Sequence, residues 1–504
     1  MKAPSNTQSM HQICLSKSRD GDALVLPTEA DAHVRRQEKL LAESSLEISC
    51  PRGAWPKDSH LSFSPHPMIV TERHNASVQA IHDALVLAVT HIIERWWTDR
   101  GAKFPQRMPL EPQEEALLQW MDTLDSDTLP PYRERRGSWR PDFLVEKVTD
   151  PMNPSLTVEQ FRVCEINARF CCNGLLHAAH GQQALSDLGA EEKGFAGATD
   201  PSHLLNGLFT LFDPTRPLHL LKSQEAGIDI PMFAHYAEHL KGVRLAFIRP
   251  EDLRLIPDEK AKLGHRLCCT AKIPGNNNTE WFVYNGETLE EIHQVGLELY
   301  QHELRGLSPE IMRALAVRCF NDMRTIFFVH DKRLLGIIHQ ELDDLVHKHS
   351  VLTATQAEVL RQGITPTMLA GSPELDAFAK QCRAIPTYKD GFVLKPIRSA
   401  KGAGILFGDE LTPEEWEAKL GHLRDASIVP GQVEYIVQRQ IRQIKYDVFM
   451  REREGLQSNF LIGTYHAIHG ENLGLGVWRS GPGRICAISH GGAWMCSVMP
   501  TGLF

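Results

Sequence analysis

The run Phe392-Val393-Leu394-Lys395-Pro396-Ile397-Arg398-Ser399-Ala400-Lys401-Gly402-Ala403-Gly404-Ile405 joins an apolar segment ending in lysine to a basic, glycine-rich turn. Glycines let backbone N–H groups approach phosphate oxygens, and lysines neutralise their charge. In isolation the same run reads equally well as a solvated β-hairpin with a flexible tip. Two familiar nucleotide motifs do not account for it. The P-loop pattern GxxxxGK[ST] is absent, and the near-fingerprint Gly402-x-Gly404 leads into an apolar strand where a dinucleotide site needs a helix start. Glu165-Ile166-Asn167 is the second constellation. On a strand, residues two apart share a face, so Glu165 and Asn167 would present two hard oxygens suited to Mg2+ beside nucleotide phosphates. Phe328-Val329-His330-Asp331-Lys332-Arg333 and Ser138-Trp139-Arg140-Pro141-Asp142-Phe143 are the third and fourth; each alone reads as a surface turn.

The elements that must position these residues are legible in outline. FRVCEI (161–166) alternates like a strand. Helical periodicity covers 75–100 and 110–124. Strands are expected at 218–222 and 243–248 and a helix at 289–304, a strand–helix–strand order that suggests a small parallel sheet. Helices dominate 309–369, with 328–329 read as the end of an apolar strand. Strands separated by glycine loops are expected at 391–395, 405–407, 433–438, 460–468 and 484–489. Residues 1–45 are polar and Ser-rich and read as a mobile or loosely attached tail.

A chain of 504 residues is too long for one ordinary core, so two or more lobes are expected. The net charge of -9 does not fit a nucleic-acid binder, and no membrane-spanning run or secretory leader is read. Eleven scattered cysteines, two pairs of them adjacent, favour reduced thiols and a cytoplasmic protein over a disulfide framework. Cys164, Cys171, Cys172, His177 and His180 lack zinc-site spacing and read as packed side chains. His490-Gly491-Gly492 suggests an oxyanion loop, but without a GxSxG elbow a serine hydrolase is not expected. Arg133 to Arg136 read by default as a solvated basic loop, the alternative being a place to meet an anionic substrate.

Taken in order, these islands resemble the ATP-grasp fold in the circularly rearranged form of eukaryotic glutathione synthetase. WRPDF is similar to that family's arginine element, VCEINARFCCNGLL to its metal strand, and HDKRLLGIIHQEL to the helix bearing its first ATP lysine. GFVLKPIRSAKGAGILFGDEL is similar to its second lysine and lid loop, EYIVQRQI to its adenine hinge, and LGVWRS and SHGGAWMCS to its late arginine and closing loop. The resemblance implies an α/β (α+β) ATP-grasp fold with an antiparallel core, a glycine-loop lid and an inserted smaller parallel α/β domain. The implied division is a core at 46–215 and 306–504, an insert at 216–305 and a lid at about 385–435.

The implied activity is a carboxylate–amine ligase that uses ATP and Mg2+, passes through an acyl phosphate and forms an amide on small amino-acid or peptide-like substrates. Glu165 and Asn167 would hold Mg2+; Lys332, Lys395, Lys401, Gly402, Ala403 and Gly404 the phosphates; Gln438, Arg439 and Ile441 adenine. Arg140 and Arg479 would face the γ-phosphate, acyl phosphate or substrate carboxylate. Small acids and amines are the expected partners, with no nucleic acid or membrane, and a homodimer stays open. The sequence also departs from the family. Ser399 stands where a third metal-ligand glutamate belongs, Gly481 replaces a late lysine, Ser458 a ribose-contacting glutamate, and Arg169 to Cys172 the serines beside the peptide substrate. These losses point to another substrate. They also leave open an ATP-binding regulatory protein without turnover and a small-molecule phosphotransferase.

Overall fold

The computed structural model describes residues 9–15, 25–150, 153–225, 227, 229–271, 281–399, 402–429, 432–488 and 491–501. Its centre is a seven-stranded antiparallel sheet. The long strand Leu456–Ile468 runs through the middle, flanked by Ser138–Thr149 and then Thr157–Asn167 on one side and by Trp478–Gly481 and Ala493–Met495 on the other. Lys445–Phe449 and Glu471–Leu475 also pair with the long strand. Alternation buries one face around Phe143, Phe161 and Trp478, whose rings pack at 4.6–6.1 Å. The register sets Arg140 opposite Asn167 and Asp142 opposite both Glu165 and Thr464. A register shift follows between Asp142 and Phe143, a local irregularity of the kind that re-aims side chains beside active sites.

A second antiparallel sheet, in the order Thr367–Met368, Tyr435–Arg439, Phe392–Pro396, Leu406–Phe407, is backed by helices Pro373–Ala384 and Pro413–Gly421. It has its own small core of Leu375, Phe378, Trp416, Leu420, Leu394 and Val437. The two sheets face one another and are joined by Gln438, which donates to the Cys164 carbonyl at 3.3 Å and to Thr367 Oγ1 at 2.9 Å.

The third unit contains the expected parallel sheet, Val295–Glu298 beside Leu218–Lys222 beside Leu245–Ile248. It also contains a four-stranded antiparallel sheet built from Leu253–Pro257, His265–Thr270, Trp281–Tyr284 and Glu287–Glu291. The helix expected over 289–304 is therefore two strands and the short helix Gln301–Arg305. The buried Glu290, tied to His219 at 3.1 Å and to Arg244, fixes the strand register that helical periodicity had concealed.

Three further expectations are corrected. The tail reading of 1–45 fails for its described part. His11–Gln12 pairs with Met68–Ile69 in a sheet that also holds Ser497–Pro500, the Gln12 amide is buried and accepts from Phe449 N at 2.6 Å, and helix Ala32–Ser49 packs on Leu175–Asp187. Residues Thr325–Val329 form a wide helical turn leading into helix Arg333–His347, not a strand; an apolar run this short carries no period that separates the two. The strand expected over 484–489 is irregular through 488. Helix Glu72–Glu94 is long and apolar enough to cross a membrane by length and composition alone, yet its Val78, Ile81, Leu85, Val89 and Ile92 face sits in the largest core.

Candidate functional site

The two antiparallel sheets enclose a cavity of about 880 Å3. Among the described residues it is lined by nine lysines and arginines and three carboxylates, a positive interior in a chain of net charge -9. Such a field suits a polyanion.

The Ser138–Thr149 strand contributes Arg140 and Asp142 two residues apart on one face. Asp142 is 2% exposed and clamps two arginines, accepting from Arg140 Nε at 2.9 Å and from Arg479 Nη2, which arrives from the Trp478–Gly481 strand. Arg140 Nη1 also donates to the Asn173 carbonyl at 3.0 Å. Arg140 and Arg479, 339 positions apart in sequence, thus converge on one carboxylate. Asp142 was visible only as part of the Arg-x-Asp spacing.

Glu165 and Asn167 sit at the end of the neighbouring strand, with Asn167 Nδ2 donating to Glu165 Oε1 at 3.3 Å. Burial alone would push the Glu165 carboxyl up. Lys332, Lys395 and Arg479 outweigh it and hold the group well below the usual carboxylate range. Lys395 lines the cavity from the Phe392–Pro396 strand. Lys332 is placed differently from the expectation of a phosphate contact. It is buried behind the wall, 3.2 Å from Glu165 Oε2, and donates to the Ser399 carbonyl at 2.7 Å.

The glycine turn closes the top. Gly402 (φ +75°) and Gly404 (φ +76°) adopt the left-handed backbone that other residues resist. A Cβ on Gly402 would lie 2.2 Å from Ile485 Cγ2, so the turn lies directly against the 484–488 segment. Arg484 pairs with Asp409 at 2.7 and 2.6 Å, tying that segment to the lid. Gly402 and Ala403 line the cavity; Lys401 lies outside the described residues.

The hinge departs in detail from its expected role. Gln438 is spent on Cys164 and Thr367, and Arg439 grips Glu146 with two bonds of 2.9 Å. The backbone N–H groups of Arg439 and Gln440 already donate to Pro366 and Gly391. Ile441 remains at the cavity wall, beside Gln440 and Gln443, each of which has a buried amide oxygen without a hydrogen-bond partner.

Several lining residues were named in sequence motifs but given no role. Arg398 ties Glu114 (2.7 Å) to Asp331 (2.8 Å) and keeps a buried, unpartnered Nη2. The Asp331 carboxyl, which burial would raise, is held down to about 2 by Arg333 and Arg398. Arg169 stacks on Phe170 and Tyr300 at 4.6 and 5.5 Å with an unpartnered Nε. His330 is kept neutral by burial together with Arg169 and Lys332. By contrast, the basic run at 133–136 does not line the cavity. Arg133 pairs with Glu94, and Arg135 and Arg136 hold backbone carbonyls of Cys319 and His469.

Residues 81–328 match the family described as AnkG N-terminal domain. Over 502 residues the chain is 39% identical to the ATP-grasp enzyme ankG of Aspergillus thermomutatus, covering 97% of this chain and 100% of that protein. Among solved structures, a glutathione synthetase-like effector (GSS30) from Globodera pallida, in its apoform, superposes with a TM-score of 0.52 at 11% identity, covering 93% of this chain and 98% of that one. At that identity the match speaks for the fold alone.

Proposed function

Since the chain belongs to the ATP-grasp enzymes, we propose that it is a ligase that joins a small carboxylic acid to an amine at the expense of ATP, through an acyl phosphate. One observation carries this reading: the cavity lining keeps buried polar atoms without partners. Arg169, Arg398 and Arg479 each keep a donor, Gln440 and Gln443 each an acceptor, and His330 and His466 each a ring nitrogen. Buried polar atoms left unpaired cost free energy, so such sites are built for a ligand. Phosphate and carboxylate oxygens suit the arginines, and the exocyclic amine of adenine suits the glutamines.

In this reading Lys395 and the N–H groups of the glycine turn hold the phosphates. Arg140 and Arg479, pre-oriented by Asp142, meet the charge that develops on the transferred phosphoryl and acyl groups. The turn, packed on Ile485, excludes the water that would hydrolyse an acyl phosphate. Glu165, ionised, and Asn167 are hard oxygen donors that would hold Mg2+, which would offset phosphate charge. Buried thiols and the absence of a disulfide among the described residues fit a reducing, cytoplasmic setting.

A second reading has its own support. Lys332 already sets an ammonium between Glu165 and the Ser399 carbonyl, on the side where the family resemblance expects a third carboxylate. That arrangement favours a nucleotide-binding protein with weakened metal dependence. Purified protein screened against panels of acids and amines separates the two. ADP release that needs both an acid and an amine, with an amide of the summed mass less water, is expected of the ligase; tight ATP binding with no acid-dependent ADP release would replace it with the second reading.

A further inference from the structure

Away from the phosphate-binding wall, the same cavity is lined by Ser59 and His177. Ser59 Oγ lies 2.9 Å from His177 Nε2, and His177 Nδ1 lies 2.8 Å from Asp229 Oδ1. Asp229, fully buried, can only accept, so it holds the Nδ1–H tautomer and leaves Nε2 to accept from the serine hydroxyl. The second oxygen of Asp229 accepts from Leu176 N at 3.2 Å, which fixes the carboxylate against the first turn of the helix that carries His177. The imidazole is walled by Trp55 and Trp494, each with its ring centroid 5.4 Å away. Burial and then His177 push the nearby His180 down to about 4, while burial together with Asp229 pushes Cys50 and Glu298 up and the Cys171 thiol together with burial and Asp229 pushes Cys172 up, so at neutral pH none of these brings a competing charge. Ser59 follows two consecutive non-glycine residues in the left-handed region, Lys57 (φ 51°, ψ 39°) and Asp58 (φ 53°, ψ 37°). Such backbone is strained for a residue with a Cβ and persists only where its surroundings demand it.

The position of this trio bears on the chemistry. His177 comes three residues after Gly174, within about 5 Å along the helix axis. The Asn173–Gly174 backbone touches Arg140: the Asn173 carbonyl accepts from its Nη1, and a Cβ on Gly174 would lie 3.7 Å from that atom. The serine–histidine pair lines the same cavity as the arginine that the ligase reading places at the acyl phosphate, and His177 shares its helix with the cap that abuts that arginine.

We propose that Ser59, His177 and Asp229 form a proton relay for the amine that attacks the acyl phosphate. This rests on the ligase reading above. An amine is mostly protonated at neutral pH and sheds two protons on the way to an amide. The ammonium's first proton passes to Ser59 Oγ while the Ser59 hydroxyl proton moves to His177 Nε2, leaving a free amine. As the N–C bond then forms, the acyl C–O bond to phosphate breaks, and phosphate leaves with its electron pair and takes up the second nitrogen proton. The imidazolium so formed is stabilised by Asp229, which orients it without itself being protonated. Ser59 and His177 act on the substrate; Asp229 is a positioning residue.

Hydroxylamine provides the test, because it is uncharged at neutral pH and traps acyl phosphates without a base. With the full chain, Mg2+ and ATP, panels of mono-, di- and tricarboxylic acids and α-amino acids are screened for hydroxamate formation, and the active acid is then offered a panel of primary amines. For His177→Gln and Asp229→Asn we expect amide formation to fall about hundredfold, within the range general bases supply, with a far smaller loss of hydroxamate. Ser59→Ala should show the same selectivity. In all three the residual amide rate should climb with pH toward the wild type as the free amine accumulates. Equal losses with amine and hydroxylamine, or no selective loss in any variant, would leave the trio a structural hydrogen-bond network and overturn the relay. No hydroxamate from wild-type protein with any acid would instead remove the ligase reading, and the relay with it.

Discussion

At the scale of single residues, the site is organised by two carboxylates surrounded by cations. Asp142 holds Arg140 and Arg479 in fixed orientations, and Glu165 stays ionised because Lys332, Lys395 and Arg479 outweigh its burial. Lys395 is the cavity-lining lysine of this group. Its change to alanine should raise the ATP dissociation constant about ten- to hundredfold, the equivalent of a charged hydrogen bond of about 1.5–3 kcal/mol; isothermal calorimetry on the folded variant reads this directly, and an unchanged constant would place phosphate elsewhere. Lys332 makes a different prediction. Because its ammonium neutralises Glu165, Lys332→Gln should make ATP affinity depend more steeply on Mg2+, and Ser399→Glu should do the same by adding a hard ligand. Titrations of ATP affinity against Mg2+ test both; a flat response in wild type and variants alike would favour the non-ligase reading. Much of this shell was legible because Arg-x-Asp and Glu-x-Asn each sit on a strand, where spacing of two defines a face. The partners of Arg398, Arg169 and His177 were not, since Glu114 and Asp331, Tyr300, and Ser59 and Asp229 are brought to them only by the tertiary fold and no local period marks them.

At the scale of elements, the glycine turn is braced by a late loop. Gly402 sits against Ile485, and Arg484 fastens the same loop to Asp409. Gly402→Ala must both occupy left-handed backbone, at a cost of about 1–2 kcal/mol, and displace Ile485. The expected outcome is a lid that closes poorly. Water then reaches the acyl phosphate, and ADP release runs ahead of amide formation. The ratio of ADP to product measures it; a ratio kept at one would show that the turn does not guard the intermediate. The elements themselves were located where alternation was long: the strands read at 460–468 and 161–166 lie within Leu456–Ile468 and Thr157–Asn167, each of which starts four residues earlier. They were misread where apolar runs were short. The helical turn at Thr325–Val329 looked like a strand because five residues carry no period, and the hairpin and parallel strand at 287–298 looked like a helix because buried charged pairs such as Glu290 with His219 and Arg244 interrupt the hydrophobic pattern that period arguments need.

At the scale of the whole molecule, the chain joins its ends in one sheet, with residues 11–12, 68–69 and 497–500 side by side, and so holds the sheets around the cavity as a unit. The polar N-terminal segment looked like a tail because its anchoring residues, Gln12 among them, are polar side chains buried by partners far along the chain. Polar burial of this kind has a consequence for stability. His66, His180 and His466 are enclosed and held mainly by burial at about 3, about 4 and about 3, against 6.5 when exposed. In the folded chain they stay neutral; in the unfolded chain they take up protons once the pH falls below about 6.5. A depressed folded pKa of this sort supports stability above the unfolded value and withdraws it as pH falls toward the folded one. Each group then costs about 1.4 kcal/mol per pH unit, roughly 4 kcal/mol per unit for the three together. Against an ordinary folding stability of about 5–15 kcal/mol, that slope exhausts the fold within a few units, well before most carboxylates titrate. Urea unfolding midpoints should therefore be level above pH 7, fall steeply between about pH 6.5 and 4.5, and fall less steeply in His466→Gln, which removes one of the three titrations. A midpoint level down to pH 5 would mean that these histidines reach solvent or partners in their charged form.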